Sequence, residues 1–416
     1  MKNIVAVRLL LLANFISGIA QGISMISIPA YFAQSGQSNW FNVAYALITV
    51  GSLFWSLYGG TLIDKYNRKH IFLVLNVING MAIGTIAYLE YLGLVDTSIL
   101  AASVFALTFW NYNLHYPCFY AFMQEISERE HYNKIASYIE VQSQLATALS
   151  GAAAALLIGG GLQTQWFSIR LEPWSLSQIF ALDAGTYFVA LAIIYSIRFV
   201  PMTERSEEVG SVFTRLKVGY KYLSDRSYVF LFGVVTHAVF VVTLLHVFNL
   251  APLYVAQVLE EPAQVFAISE LFYALGAITA GVAIHRIFKG MPFVKAIVIL
   301  MLISGLELIG LITMRSVWVF YGISLLLGLT NAGIRVIRVS YLFEVLPNQV
   351  IGRANSIFFI TNVIARIFFL SLFSLAFFHN SGQVIYAFLL LSLFIFVSMG
   401  ILLFFYQRIV QARDGE

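Results

Sequence analysis

Apolar runs long enough to cross a bilayer, separated by short polar connections, occupy almost the whole of this chain of 416 residues. A helix of ~20 apolar residues covers the hydrocarbon thickness, so hydropathy predicts twelve membrane spans. In the first half they fall at 5–32, 40–62, 70–91, 98–124, 135–160 and 177–200. In the second half they fall at 228–257, 264–287, 292–313, 316–343, 354–379 and 383–407. Only 11% of the residues are charged, whereas a soluble domain carries about 25%. The first run, Val5 to Phe32, is too long for the apolar core of a cleavable leader and reads as the first span. The single cysteine, Cys118, lies in an apolar run, so no intramolecular disulfide forms and no compartment follows from it.

Charge then sets the orientation. With the N-terminus inside, 19 of the 24 lysines and arginines fall at cytoplasmic ends or loops. Arg170 and Arg315 fall outside, and Arg335, Arg338 and Arg366 fall within spans. Insertion follows this asymmetry, which predicts both termini in the cytoplasm. The net charge of +4 comes from those loops, and no basic tract suits a nucleic acid.

One polar loop recurs. Residues Gly59 to His70 read G-G-T-L-I-D-K-Y-N-R-K-H, and Gly60, Asp64, Lys65 and Arg68 return as Gly281, His285, Arg286 and Lys289, each 221 residues on. Glu125 and Lys134 return as Glu344 and Arg353, each 219 residues on. Two parallel six-helix repeats follow: residues 1–200, a cytoplasmic linker at 201–227, and residues 228–416. Within the linker, Val212, Phe213, Leu216, Tyr220 and Leu223 share one helical face, which predicts an amphipathic helix at the inner membrane surface.

The pattern G-x-x-x-D-[KR]-x-x-[KR]-[KR] resembles the loop between helices 2 and 3 of the major facilitator superfamily of transporters. The resemblance covers nearly the whole chain and implies an all-α membrane protein of two six-helix bundles. It also implies that helices 1, 4, 7 and 10 line the pathway, while 3, 6, 9 and 12 lie outside. In that family the loop is a cytoplasmic latch, here built from Gly60, Asp64, Lys65, Arg68, Glu125, Arg286 and Glu344. Asp64 would accept hydrogen bonds at the N-terminus of helix 11, and Lys65 or Arg68 would pair with Glu125. His285 replaces the acid in the second copy, so the latch is expected to be asymmetric. Asn67 stands where the family has glycine, and Asn tolerates a left-handed backbone. The stretches R-L-K-V-G-Y-K-Y-L-S-D-R (215–226) and N-L-A-P-L-Y-V (249–255) resemble the bacterial efflux branch that includes macrolide and siderophore exporters. Helix 5 lacks the Gly-Pro of drug/proton antiporters and helix 4 lacks an arginine, which leaves proton antiport open.

Polar side chains at bilayer depth are costly and mark function or pairing. Helix 1 carries Asn14, Ser17, Gln21 and Ser24 in a stripe, and helix 4 carries Thr108, Asn111, His115 and Cys118. Helix 7 offers His237, Thr243, His246 and Asn249. Asn331, Arg335 and Arg338 form a stripe on helix 10, and Asn355, Phe359, Asn362 and Arg366 one on helix 11. The guanidinium fork suits carboxylate or phosphate, so the substrate-binding candidates are Asn14, Gln21, Asn111, His115, His246, Asn331, Arg335, Asn362 and Arg366. Glu140, Arg338 and Glu270 are the coupling candidates, with Glu140 and Arg338 at matching depths for an ion pair. Asp183 and Glu307, on helices expected outside the pathway, are read as structurally paired acids.

Enzyme signatures are missing: no G-x-S-x-G, no H-E-x-x-H, no paired C-x-x-C, and no nucleotide-binding G-x-x-x-x-G-K-[ST]. The expectation is a monomeric secondary transporter in the inner membrane, with no cofactor or metal. It would use a proton or sodium gradient to move a small anionic or zwitterionic solute, in the direction of export. Import or uniport of an organic anion, or a non-transporting sensor or scaffold, stay open.

Overall fold

Backbone polar groups in lipid must be satisfied within the segment, so apolar runs of this length fold as helices. A computed structural model describes residues 4–128, 132–163, 168–199, 212–346, 348–380 and 382–414. In the first half, α1 spans Ile4–Gln34, α2 Ser38–Lys65, α3 Arg68–Tyr91, α4 Thr97–Glu125, α5 Tyr132–Gly159 and α6 Leu176–Ser196. The linker helix α7 is Val212–Asp225, and α8 (Ser227–Val235), α9 (Ala238–Leu245) and α10 (Ala251–Tyr254) follow. Then come α11 (Ala263–Ile287), α12 (Phe293–Thr313), α13 (Val317–Val345), α14 (Asn348–Phe373), α15 (Val384–Phe404) and α16 (Tyr406–Asp414).

Ten helical runs among the described residues are long and apolar enough to cross a membrane. Helices α2 and α4, of 28 and 29 residues, are as long. Two local features depart from the sequence reading. An antiparallel hairpin pairs Gly161–Gln163 with Ser168–Arg170 in the connection after α5, where no strand is expected. The seventh span is not one continuous α-helix, because π-helical turns at His246–Leu250 and Val255–Leu259 interrupt it. Pro252 explains the first: it has no N–H to give Phe248, and the Ala251 N–H reaches back to the His246 carbonyl instead.

The chain forms two compact units. The first comprises Met1–Gln37, Leu47–Val209 and Pro262–Leu271; the second comprises Ser38–Ala46, Gly210–Glu261 and Phe272–Glu416. Within the first unit α1 packs against α4, α5 and α6, and α3 against α4 and α6. Phe72, Phe119, Phe122, Leu10 and Ile194 fill one core there. Within the second unit α12 packs against α13 and α15, and α7 lies along α14. Of the predicted apolar face of α7, Leu223 is fully buried but Tyr220 is 57% exposed. The side chains of Val212, Phe213 and Leu216 lie outside the described residues.

Glycine sets the tightest approach. A Cβ on Gly276 of α11 would lie 1.8 Å from the Leu325 carbonyl oxygen, and one on Gly328 of α13 would lie 2.0 Å from that of Tyr273. Each helix thus presents bare backbone to the other, as small residues allow in membranes. Across this contact Asn331 Nδ2 donates to Tyr273 Oη at 2.8 Å.

Candidate functional site

The charged loop is held by its own residues. Asn67 has φ −63° and ψ 121°, an extended N-cap rather than the left-handed residue that the sequence admits. Its Oδ1 accepts from the backbone N–H groups of Lys69 (2.9 Å) and His70 (3.4 Å), satisfying the otherwise orphaned donors at the start of α3. Arg68 Nη1 donates to Glu125 Oε2 at 3.1 Å and to the Ala121 carbonyl at 2.9 Å. Lys69 Nζ reaches the carbonyls of Tyr195 (2.8 Å) and Ile197 (2.7 Å), completing the end of α6, where a cation suits the helix dipole. Lys65 lies over the Tyr66 ring, and Arg286 and Glu344 are exposed. Gly60 lies in α2. The side chains of Asp64, Glu140, His285 and Arg353 lie outside the described residues.

In the first unit the structure brings Asn14 and His115 together. His115 Nε2 donates to Asn14 Oδ1 at 2.7 Å, and Asn14 Nδ2 donates to Gln142 Oε1 at 3.0 Å. With Nε2 carrying the proton, the imidazole is packed against Phe72 and Phe119. An open, apolar surface depression of about 300 Å³ lies against Leu11, Phe15, Tyr138 and Gln142 on α1 and α5. Gln142 reaches the histidine only through Asn14. Gln21 is turned along its own helix, donating to Ser17 Oγ at 2.5 Å. Asn111 accepts from Asn79 Nδ2 at 3.4 Å.

In the second unit Arg366 is 2% exposed and is the largest fully buried side chain among the described residues. Its Nε donates to Asn362 Oδ1 at 3.0 Å, one turn earlier on α14, and the Tyr45 phenol stands beside the guanidinium. Arg338 is also buried, donates to the Thr236 carbonyl at 3.2 Å, and has half-buried Arg335 near it. Asn331 does not join these arginines, because its amide is used by Tyr273. His246 is packed between Phe320 and Phe388, and its Nδ1 has no hydrogen-bond partner among the described residues.

A second polar cluster in this unit lies at the start of α2. Asn249 Nδ2 donates to Asn42 Oδ1 at 2.6 Å, and Asn42 Nδ2 donates to the Phe373 carbonyl at 3.1 Å. His379 Nε2 donates to the same carbonyl at 2.8 Å, and the His379 carbonyl accepts from Gln257 at 3.1 Å. Burial holds the His379 imidazole below its ordinary pKa, partly offset by its bond to Phe373.

Three acids, Asp183, Glu270 and Glu307, are buried. Asp183 and Glu307 were expected to be paired, yet neither carboxyl has a hydrogen-bond partner among the described residues. Each stands near a hydroxyl, Ser24 and Thr330 respectively, without reaching hydrogen-bond geometry. Position alone suggested pairing, but the helices around them supply hydroxyls, not cations. Glu270 is buried against α5 where Gly151 leaves room for it. Gln142, Asn42 and Tyr45 escaped the sequence reading. The amides at 142 and 144 in an apolar helix were the available sign for the first, and the helical spacing of Asn42, Tyr45, Thr49 and Ser52 was the sign for the other two.

Comparison with known proteins completes this picture. The family model described as Major Facilitator Superfamily matches residues 10–370. The enterobactin exporter EntS of Salmonella typhimurium is 23% identical over 373 residues, covering 87% of this chain and 83% of that protein. EntS of Escherichia coli O6:K15:H31 is 24% identical over 376 residues, with the same coverage of each. Among solved structures, the POT family transporter PepTSo superposes with a TM-score of 0.69 at 11% identity, covering 96% of this chain and 98% of that one. A bacterial homologue of the lysosomal transporter Spinster gives 0.67 at 11% identity, covering 99% and 97%. The nucleoside transporter NupG gives 0.66 at 12% identity, covering 96% and 99%. The likeness to solved structures carries the fold, and the family match over most of the chain carries the membership: this chain belongs to the Major Facilitator Superfamily.

Proposed function

We propose that this membrane transporter exports a small anionic or zwitterionic organic solute by alternating access, with Arg366 docking its acidic group. The observation that carries the reading is the burial of Arg366 among an amide and a phenol, Asn362 and Tyr45. A guanidinium keeps its charge at any relevant pH, and its planar fork suits a carboxylate or phosphate. Arg335 supplies a second positive contact on the neighbouring helix. The names of the EntS relatives support export as the direction. The same reading has the protein act as a monomer in the inner membrane, with both termini in the cytoplasm and an ion gradient as the energy source.

The test is ligand-induced thermal stabilisation of the purified protein with panels of anionic, zwitterionic, neutral and cationic solutes. Anions should raise the melting temperature of the wild type and fail to do so for Arg366→Ala, while Arg366→Lys retains a weaker response. Stabilisation by neutral or cationic solutes that survives in Arg366→Ala overturns the anion site.

A further inference from the structure

The first unit contains a buried group that the anion site does not use. Asp183 of α6 is 0% exposed, and neither of its carboxyl oxygens has a hydrogen-bond partner among the described residues. Ser24 Oγ of α1, Thr108 Oγ1 of α4 and Tyr187 Oη of α6 are likewise buried and without a partner there. They are neighbours: Ser24 stands beside Asp183, and Tyr187, one turn on from Asp183, stands beside Thr108 and Asn111. The titratable groups that face the carboxyl are the phenols of Tyr112 on α4 and Tyr187 on α6. From α1 it meets Ser24, and the buried polar side chains of α3 are the amides Asn76 and Asn79. No cation acts on it among the described residues.

An ionised carboxylate at bilayer depth without a positive partner costs several kcal/mol. A neutral carboxylic acid surrounded by hydroxyls costs far less, since its O–H donates and its C=O accepts. Four side chains from three helices thus leave unmatched polar groups in one place, whereas packed interiors normally pair such groups. A polar file on α1 also leads to this place. Asn14 bonds His115, Gln21 bonds Ser17, and Ser24 follows one turn later. Residues 14 to 24 cover ~15 Å at the helical rise.

We infer that Asp183 is a proton-binding site in the core of the first unit, served along α1 by Ser24, Gln21, Ser17 and the Asn14–His115 pair. The carboxylate takes up one proton to become the neutral acid and releases the same proton to become the anion. A multivalent cation does not suit a single carboxylate, and no group of three or more His, Cys, Asp or Glu side chains able to hold a metal occurs among the described residues. The inference does not rest on the anion site, and its test needs no transported solute.

The test is infrared difference spectroscopy of the full-length protein in lipid nanodiscs, titrated from acid to alkaline pH in potassium and then in sodium chloride. The wild type should show a protonated-carboxyl C=O band that disappears as pH rises, is lost in Asp183→Asn and is unchanged by exchanging the salts. Ser24→Ala should displace its midpoint by about half a pH unit or more, since it removes a hydroxyl beside the carboxyl. An identical titration in wild type and Asp183→Asn overturns the inference. So does a band that sodium abolishes at constant pH, because a metal cation is then the ligand. If Asp183→Asn does not fold, Asp183→Glu decides: a shifted band supports the site and an unmoved one overturns it.

Discussion

The contact between α11 and α13 supports a quantitative prediction. Gly276→Ala places a methyl carbon 1.8 Å from the Leu325 carbonyl oxygen, and Gly328→Ala places one 2.0 Å from that of Tyr273. A carbon sits no closer than roughly 3.3 Å to a carbonyl oxygen, so the helices must part by about 1.3–1.5 Å. Both obstructing atoms are backbone, which no rotamer change can move aside. Overpacking of this kind costs up to about 3 kcal/mol. The same displacement takes the Asn331–Tyr273 bond from 2.8 Å beyond hydrogen-bond range, for about 1 kcal/mol more. Alanine returns about 1 kcal/mol through its better helix propensity. Each single variant should therefore lose about 3 kcal/mol. The double variant should lose little more, because helices already parted accommodate the second methyl. Gly322→Ala on the same helix α13 is the control: nothing lies within 4 Å of its Cβ, so it should be neutral or stabilising. Equilibrium unfolding in mixed micelles reads all four. Equal stability of the Gly328 and Gly322 variants, or strict additivity in the double, would refute the close-approach argument.

Two shorter predictions concern the polar ends of the helices. Asn67→Ala removes the acceptor for Lys69 and His70 N–H and should cost ~1 kcal/mol, read in the same unfolding assay, whereas Asn67→Asp should cost a few tenths at most. At His379 burial keeps the imidazole below its ordinary value of 6.5, so below that pH the unfolded form takes up a proton that the folded one resists. Stability contributed here is thus complete above the ordinary value and falls as pH falls through it. Amide hydrogen exchange at 376–380, corrected for intrinsic rate, should quicken between about pH 7.5 and pH 5.5, and His379→Gln should abolish the change.

The fold was legible because lipid enforces it. Runs such as 293–313 have one backbone solution in a bilayer, and most ends lie within four residues of the reading; the exception is the span read at 354–379, whose helix α14 runs Asn348–Phe373. The repeated loop was legible because charge between apolar runs is conspicuous, and the Arg68–Glu125 contact joins two of its residues. Local backbone detail was not. The π-turn at His246–Leu250 depends on a missing donor at Pro252 that hydropathy does not register. At Asn67 the residue type fitted two backbone conformations, and cap chemistry selected the one that a glycine comparison did not suggest.

The interior site was legible by residue type but not by partner. Helical spacing correctly places Asn362 and Arg366 on one face, since a bond joins them across one turn. The same spacing puts Asn331 with Arg335, yet Asn331 turns to Tyr273, because the glycines of α11 and α13 bring that phenol within reach. Tyr45 shares a helical stripe on α2 with Asn42, Thr49 and Ser52, spaced three and four residues apart, but only three-dimensional packing sets it against Arg366. The acids show the converse. Asp183 and Glu307 are read as paired because of where their helices are expected to lie, whereas the groups beside them are the hydroxyls of Ser24 and Thr330. The repeat in the loops does not extend to this interior chemistry. Each unit buries a carboxyl near a hydroxyl, Asp183 in the first and Glu307 in the second, but the second also buries two arginines, Arg338 and Arg366, with no arginine at repeat spacing in the first. Insertion and orientation act on both repeats alike, so they hold the loops similar; no such common requirement acts on the side chains between the helices, and there the halves diverge.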